Sequence, residues 1–302
     1  MSAQALLFPP DAQDAHAAWR WAGGKRWLLA AHASLLPDPR TVRRLGLPFV
    51  GGGSVAFYYG ARMTRGTEML ISDTNRDMIT TYLVLRDNVG SLVQALADIA
   101  SRGYGREQYD RIRERFNKER DNHPVYRAAW FIVLLCWNVN GIWRTNKRGE
   151  YNVPFGKPSQ PGTVPPLPDA DTLRACSLAL RHAIIADMDF EEQVRRGRPA
   201  AGDFWYFDSP YVPMSATGNF TAYTADGFSM ADQERLAAQL PFVDAAGARF
   251  ALSNSDTRQS RELYEGHGWD ITPLQRPGTM SSDAEGRQPV GEILVRNLRR
   301  YP

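Results

Sequence analysis

Residues 45–73 restrict the fold of this chain more than any other stretch. Residues 45–50 form a short apolar run that feeds three glycines, Gly51, Gly52 and Gly53, after which residues 54–59 begin a helix. Residues 68–72 read as a second strand that ends at Asp73, with a helix from about 75 to 86. A glycine turn between strand and helix lets a ligand approach the backbone closely, and an acid at the tip of the next strand can accept hydrogen bonds from a ribose diol. This is the opening of a βαβ unit. Strands near 183–186, 204–207, 249–252 and 292–296, with helices near 230–246 and 257–264, extend it to a doubly wound α/β core. Asp73 has a second reading as a helix N-cap, since SDTN is good capping sequence, and the two roles are compatible.

The chemistry-bearing stretch is residues 203–228, DFWYFDSPYVPMSATGNFTAYTADGF, where an apolar strand runs into Asp208, Ser209, Pro210 and Tyr211. A carboxylate, two main-chain carbonyls and an aromatic ring are delivered together at a strand end. That set suits a planar exocyclic amine, whose lone pair is delocalised and therefore a poor nucleophile. Acceptors on its two hydrogens draw the lone pair out of the ring, and Tyr211 stacks on the base. The plain alternative is a buried strand ending in a Ser-Pro turn.

WAGGKRWLL from Trp21, PFVGGGSVAF from Pro48, SDTNRDMI from Ser72, FNKER from Phe116, NGIWRTNKRGEYNVPFG from Asn140 and SPYVPMSATGNFTAYTADGF from Ser209 stand in the order found in Dam-type DNA adenine N6-methyltransferases. The chain resembles that family from about residue 19 onward. The resemblance implies a Rossmann-like, S-adenosylmethionine-dependent core that transfers a methyl group to N6 of a flipped adenine in a short duplex site such as GATC. It also implies a catalytic set of Asp208, Ser209, Pro210 and Tyr211. Two departures stand out: the family's usual Asp-Pro-Pro-Tyr is Asp-Ser-Pro-Tyr, and Leu47 replaces the acid that commonly precedes the PFVG block. Serine frees the backbone of Asp208 and adds a hydroxyl able to compete for its carboxylate, whereas the reacting group at position 209 is a carbonyl that any residue has.

For the donor, the resemblance points to Trp21, Ala22, Gly23, Gly24 and Lys25, with Lys25 neutralising a carboxylate and Trp21 as an aromatic wall. Gly51, Gly53, Asp73 and Asp208 join them, and Phe49 and Phe190 flank the adenine ring. Taken alone, Trp21 reads as core and Lys25 as a surface charge. For DNA, the segment from Asn140 has the turn chemistry of a hairpin and matches the family's target-recognition hairpin. Arg144 is the best candidate for guanine, Asn146 is suited to adenine and Lys147 to phosphate, with Arg148 a further DNA-binding candidate. Asn219, in the Gly-rich loop after Tyr211, completes the set, and Arg276 or Arg287 could clamp phosphate. Ser253 and Asn254 are expected on the site's floor.

Residues 1–18 are expected to be a loose leader, 19–88 and 161–302 the catalytic core, and 89–160 an inserted helical and hairpin recognition module bounded by the Pro-rich 156–168. A net charge of +3 is a mild basic bias compatible with double-stranded DNA but not sufficient to show it. Cys136 and Cys176, without a CxxC pair or a His cluster, read as reduced core thiols of a cytoplasmic protein with no metal site. The longest apolar run, residues 128–137, is too short to span a bilayer. Two other readings stay open: a non-catalytic DNA-binding relative, separated by donor-dependent labelling of DNA, and a methyltransferase for RNA or a protein amide.

Overall fold

The computed structural model describes residues 15–64, 66–119, 123–156, 163–212, 227–276 and 290–298. Its centre is a seven-stranded sheet in the order β3-β2-β1-β4-β5-β7-β6. The strands are β1 (Arg44–Leu47), β2 (Glu68–Asp73), β3 (Ala183–Asp187), β4 (Asp203–Phe207), β5 (Arg249–Ser255), β6 (Asp270–Arg276) and β7 (Val290–Arg296). The first five run parallel, and β7 is antiparallel to both of its neighbours.

The alternation of β4 explains why the sheet is covered on both sides. Phe204 and Tyr206 join one apolar cluster while Trp205 and Phe207 join another, and all four are buried. The first cluster is closed by α1 (Arg26–His32), α2 (Ser54–Gly60), α3 (Arg76–Asp87), α4 (Val89–Ser101), α5 (Arg106–Lys118), α6 (Pro124–Trp137) and α7 (Ala170–Ala179). The second is closed by α8 (Phe190–Gly197), α9 (Met230–Ala245) and α10 (Arg258–Tyr264). Leu96, Tyr109, Phe131, Trp143 and Tyr151 belong to the same apolar cluster as Leu45 and Phe57, so the segment after α3 packs directly onto the sheet's helical layer.

The α/β architecture is the expected one, with differences at the margins. The first strand ends at Leu47, before Pro48, instead of running to Val50. The strand β6 was not expected, because Pro273 sits inside it; β6 is the sheet's edge, where a missing N–H costs no ladder bond. Within the expected loose leader, Ala15 and Ala18 are buried, and the Cys176 thiol donates to the His16 carbonyl at 3.1 Å. The expected hairpin appears as two isolated antiparallel bridges, Asn138 with Phe155 and Thr145 with Tyr151, not as paired strands. Asn219, Arg287 and residues 157–162 of the Pro-rich connection lie outside the described residues.

Among the described residues no helix is long and apolar enough to cross a membrane. The strand order places β1 between β2 on one side and β4 on the other, so the chain winds one way from β1 through β2 to β3 and the other way from β4 to β5. The loops at the carboxyl ends of β1 and β4 diverge there and leave a crevice.

Candidate active site

That crevice is a cleft of about 310 Å³, open to solvent, whose lining includes Trp21, Lys25, Phe49, Gly53, Tyr206 and Asp208. Its floor is the glycine turn after β1. Gly53 adopts φ +76°, and a Cβ there would lie 2.4 Å from the Tyr82 hydroxyl, so only glycine fits. At Gly52 a Cβ would lie 2.5 Å from the Trp21 Cβ, which shows how closely the WAGGK segment is laid over this turn. The Tyr82 hydroxyl donates to the Gly51 carbonyl at 2.8 Å and pins the turn from below.

Asp73, at the tip of β2, accepts from the Asn75 amide at 3.0 Å and the Gly51 amide at 3.3 Å. The helix cap itself is Asn75, whose side chain accepts from the Met78 amide. Burial pushes the Asp73 carboxyl up to about 6, only partly opposed by those amides. A carboxylate with unused lone pairs beside a glycine turn fits a ligand diol. Phe49 and Phe190 stack on one another with centroids 5.2 Å apart, which leaves no room for a ring between them. A purine can lie only against an outer face of this pair, a change from the expectation that the two rings flank it.

Asp208 follows β4 directly and faces the cleft. Lys25 is brought to it from the other side, and its surroundings differ from the expected ones. Its side chain is 1% exposed, and its ammonium lies 2.5 Å from Asp208 Oδ1 and donates to the Gly23 carbonyl at 2.9 Å. It also stands 5.0 Å from the centre of the Tyr211 ring. The lysine is therefore neither a surface charge nor a free counter-ion for a ligand carboxylate; it is paired with the proposed catalytic acid. Burial raises the Asp208 carboxyl above its ordinary value, Lys25 lowers it, and the nearby Glu292 raises it again.

The turn after Asp208 is held through its backbone. Gln233 Nε2 donates to the Pro210 carbonyl at 2.7 Å, and Asn254 Oδ1 accepts from the Val212 amide at 3.0 Å. Asn254 Nδ2 donates to Gln233 Oε1 at 3.0 Å, and Ser255 Oγ donates to the Val212 carbonyl at 2.6 Å. Asn254 thus supports the turn from beneath, while Ser253 is taken up by Tyr206 at 2.8 Å. Among the described residues nothing donates to the Ser209 carbonyl, which stays available as an acceptor. Ser209 Oγ is buried without a hydrogen-bond partner, so the expected competition for the Asp208 carboxylate does not occur. Leu47 is buried in the cleft wall, leaving that wall apolar where the family commonly has an acid.

The segment from Asn140 is rooted in the core and polar at its tip. Asn138 Nδ2 donates to the Tyr151 hydroxyl and the Ile142 carbonyl, both at 2.7 Å, and Trp143 packs on Tyr151 and Phe131. At the tip, Arg144 is exposed and Nε donates to Asn152 Oδ1 at 2.8 Å, while Lys147 and Arg148 are exposed. Asn146 differs from expectation: Oδ1 accepts from the Arg148 and Glu150 amides and Nδ2 donates to Glu150. Its amide closes the turn and is not presented outward.

Sequence reasoning missed Gln233 and Glu292. Gln233 lies on a helix of ordinary composition, and Glu292 lies in a strand where a charge reads as surface; each becomes visible only by what it touches. Among the described residues no group of His, Cys, Asp or Glu could hold a metal ion.

The family model for D12 class N6 adenine-specific DNA methyltransferases matches residues 21–276. Type II methyltransferase M.MjaIII of Methanocaldococcus jannaschii is 35% identical over 289 residues, covering 92% of this chain and 97% of that protein. Type II methyltransferase M1.LlaDCHI of Lactococcus lactis subsp. cremoris is 32% identical over 285 residues, covering 92% and 94%. DNA adenine methylase of Escherichia coli K12 is 32% identical over 277 residues, covering 91% and 93%. With a match that spans both the glycine turn after β1 and the Asp-Ser-Pro-Tyr turn after β4, the chain belongs to the D12 class of N6 adenine-specific DNA methyltransferases.

Proposed function

We propose that this enzyme uses S-adenosylmethionine to methylate N6 of an adenine turned out of a short duplex DNA site. The observation that carries the reading is the position of Asp208. It follows β4 and lines the same cleft as the glycine turn, which Asp73 holds through the Gly51 amide, and it stands near the Tyr211 ring and a Ser209 carbonyl to which nothing donates among the described residues. The donor fits the residues present: Asp73 has lone pairs for ribose hydroxyls, and a Cβ on Gly23 would meet nothing within 4 Å, so that backbone faces open space. When bound, the donor supplies a methyl group on a sulfonium, and the electron pair of the broken S–C bond remains on sulfur. The protein's share is orientation. Asp208 and the Ser209 carbonyl accept the two N6 hydrogens, the freed lone pair forms the new N–C bond, and the released proton leaves through the Asp208 carboxylate to solvent. Extruding the base costs a few kcal/mol, of which stacking on Tyr211 returns about 1–3 kcal/mol.

Residues 89–160 serve as the target-recognition module in this reading, with Arg144 on a guanine edge and Lys147 and Arg148 on phosphate. The resemblance of the motifs to Dam-type enzymes supports a short palindrome, with GATC the first candidate, and a DNA substrate inside the cell is in keeping with a cytoplasmic protein. The test is transfer of a labelled methyl group to duplex DNA followed by mapping of methylated bases. Wild type is expected to mark adenine in one short site, and Asp208→Ala to lose transfer while still binding donor. Near-normal turnover by Asp208→Ala would remove the carboxylate from the chemistry.

A further inference from the structure

Glu292 is a buried carboxylate without an evident structural purpose. It lies on β7 between Ser255 of β5 and Leu274 of β6, and its side chain is 1% exposed. Neither of its oxygens has a hydrogen-bond partner. The nearest cation is Lys25, whose ammonium stands 4.0 Å from Glu292 Oε1 and 2.5 Å from Asp208 Oδ1. Burial first, and then the same carboxylate, raise the Tyr211 phenol well above its ordinary value; its hydroxyl faces Glu292 closely, short of full hydrogen-bond geometry. A buried charge with only a long ion pair and no completed hydrogen bond is expensive, and a fold that keeps one beside its reactive acid has a use for it.

The geometry supplies that use. In this arrangement Lys25 occupies one oxygen of Asp208, the group that must accept a hydrogen from the target amine. An ammonium there also opposes the positive charge that grows on N6 as the methyl arrives. Lys25 is the only ammonium among the described residues of this cleft, and it faces two carboxylates, Asp208 and Glu292. A short rotation of the flexible lysine stem would complete a bond to Glu292 and keep the one to Gly23, while releasing Asp208.

Resting on the adenine-methylation reading above, we infer that Glu292 is a positioning residue: it takes Lys25 over from Asp208 when the target amine enters. The amine then meets a fully available carboxylate, and the Lys25 ammonium is drawn away from the nitrogen on which positive charge develops.

Glu292→Gln tests this, because it preserves shape and removes the charge. Expected is a kcat lower by roughly ten- to a hundredfold, in the range of a misplaced catalytic group. The melting temperature, donor affinity by calorimetry and KM for DNA should stay close to wild type. Because Glu292 acts through Lys25, Glu292→Gln added to Lys25→Met should cost little beyond Lys25→Met alone. In a crystal structure with adenine-containing duplex and a non-reactive donor analogue, Lys25 should bond Glu292 and not Asp208. Unchanged kcat in Glu292→Gln, losses that multiply in the double variant, or Lys25 still on Asp208 in that complex would each overturn the hand-over. A wild type that transfers no methyl to DNA adenine would instead remove the proposed function, and the hand-over with it.

Discussion

Replacing Ser209 by proline should make this protein more stable and no less active. Ser209 is 3% exposed, its hydroxyl is buried without a partner, and its amide donates no hydrogen bond to another described residue outside the strand ladders. Pro210 already confines residue 209 to the extended region in which a proline is comfortable. Removing an unpaired buried hydroxyl relieves a penalty of about 1–3 kcal/mol. Restricting the unfolded chain adds about 0.4–1 kcal/mol. After allowance for serine contacts that proline does not reproduce, a net gain of about 1–2 kcal/mol is expected, or roughly 1.5–3 °C in melting temperature for a domain of this size. The carbonyl assigned to the amine is retained, so initial rates of methyl transfer should equal or exceed those of wild type. Urea and thermal unfolding measure the first quantity, and labelled methyl transfer the second. A midpoint at or below wild type would show that the Ser209 backbone is not compatible with proline or that its hydroxyl has a partner after all.

Donor affinity should be pH-dependent through Asp73. Its carboxyl titrates at about 6 in the folded protein and must be charged to accept two hydroxyl donors. Calorimetry should therefore show binding that strengthens as pH rises from 5 to 7 and levels off above, and Asp73→Asn should flatten the curve. The sign for stability is opposite. A carboxyl raised from 3.8 holds its proton more tightly when folded, so this group costs the donor-free protein stability progressively as pH climbs from about 4 to 6. Asp73→Asn should reduce that fall in urea midpoints over the same window. Arg144→Ala should cost about 1–3 kcal/mol on the cognate site and relax preference at one base pair, whereas Lys147→Ala should weaken a panel of single-base variants uniformly. Uniform weakening by Arg144→Ala would make it a backbone anchor. Gly53→Ala should disrupt the cleft floor, since its Cβ would lie 2.4 Å from the Tyr82 hydroxyl; donor binding near wild-type strength would refute that steric argument.

What the amino-acid order determined by itself is whatever depends on neighbours along the chain. Strand, glycine turn, helix and acid in residues 45–73 have local causes, as has the delivery of Asp208 at the end of β4, and both were legible. So were the Asp-Ser-Pro-Tyr turn, one continuous segment, and helices beginning near 75 and 230, although the cap of the first is Asn75 and not Asp73. Tertiary structure decided what depends on residues far apart. Lys25 meets Asp208 across more than half the chain, and Glu292 joins them only because β7 inserts between β5 and β6. The Asn146 amide is spent on its own turn, and Gln233 becomes a brace for Pro210 only when α9 packs under it. The reason is physical: a propensity or a cap acts over a few residues and is written locally, whereas the partner of a buried charge is set by which strands the fold makes neighbours.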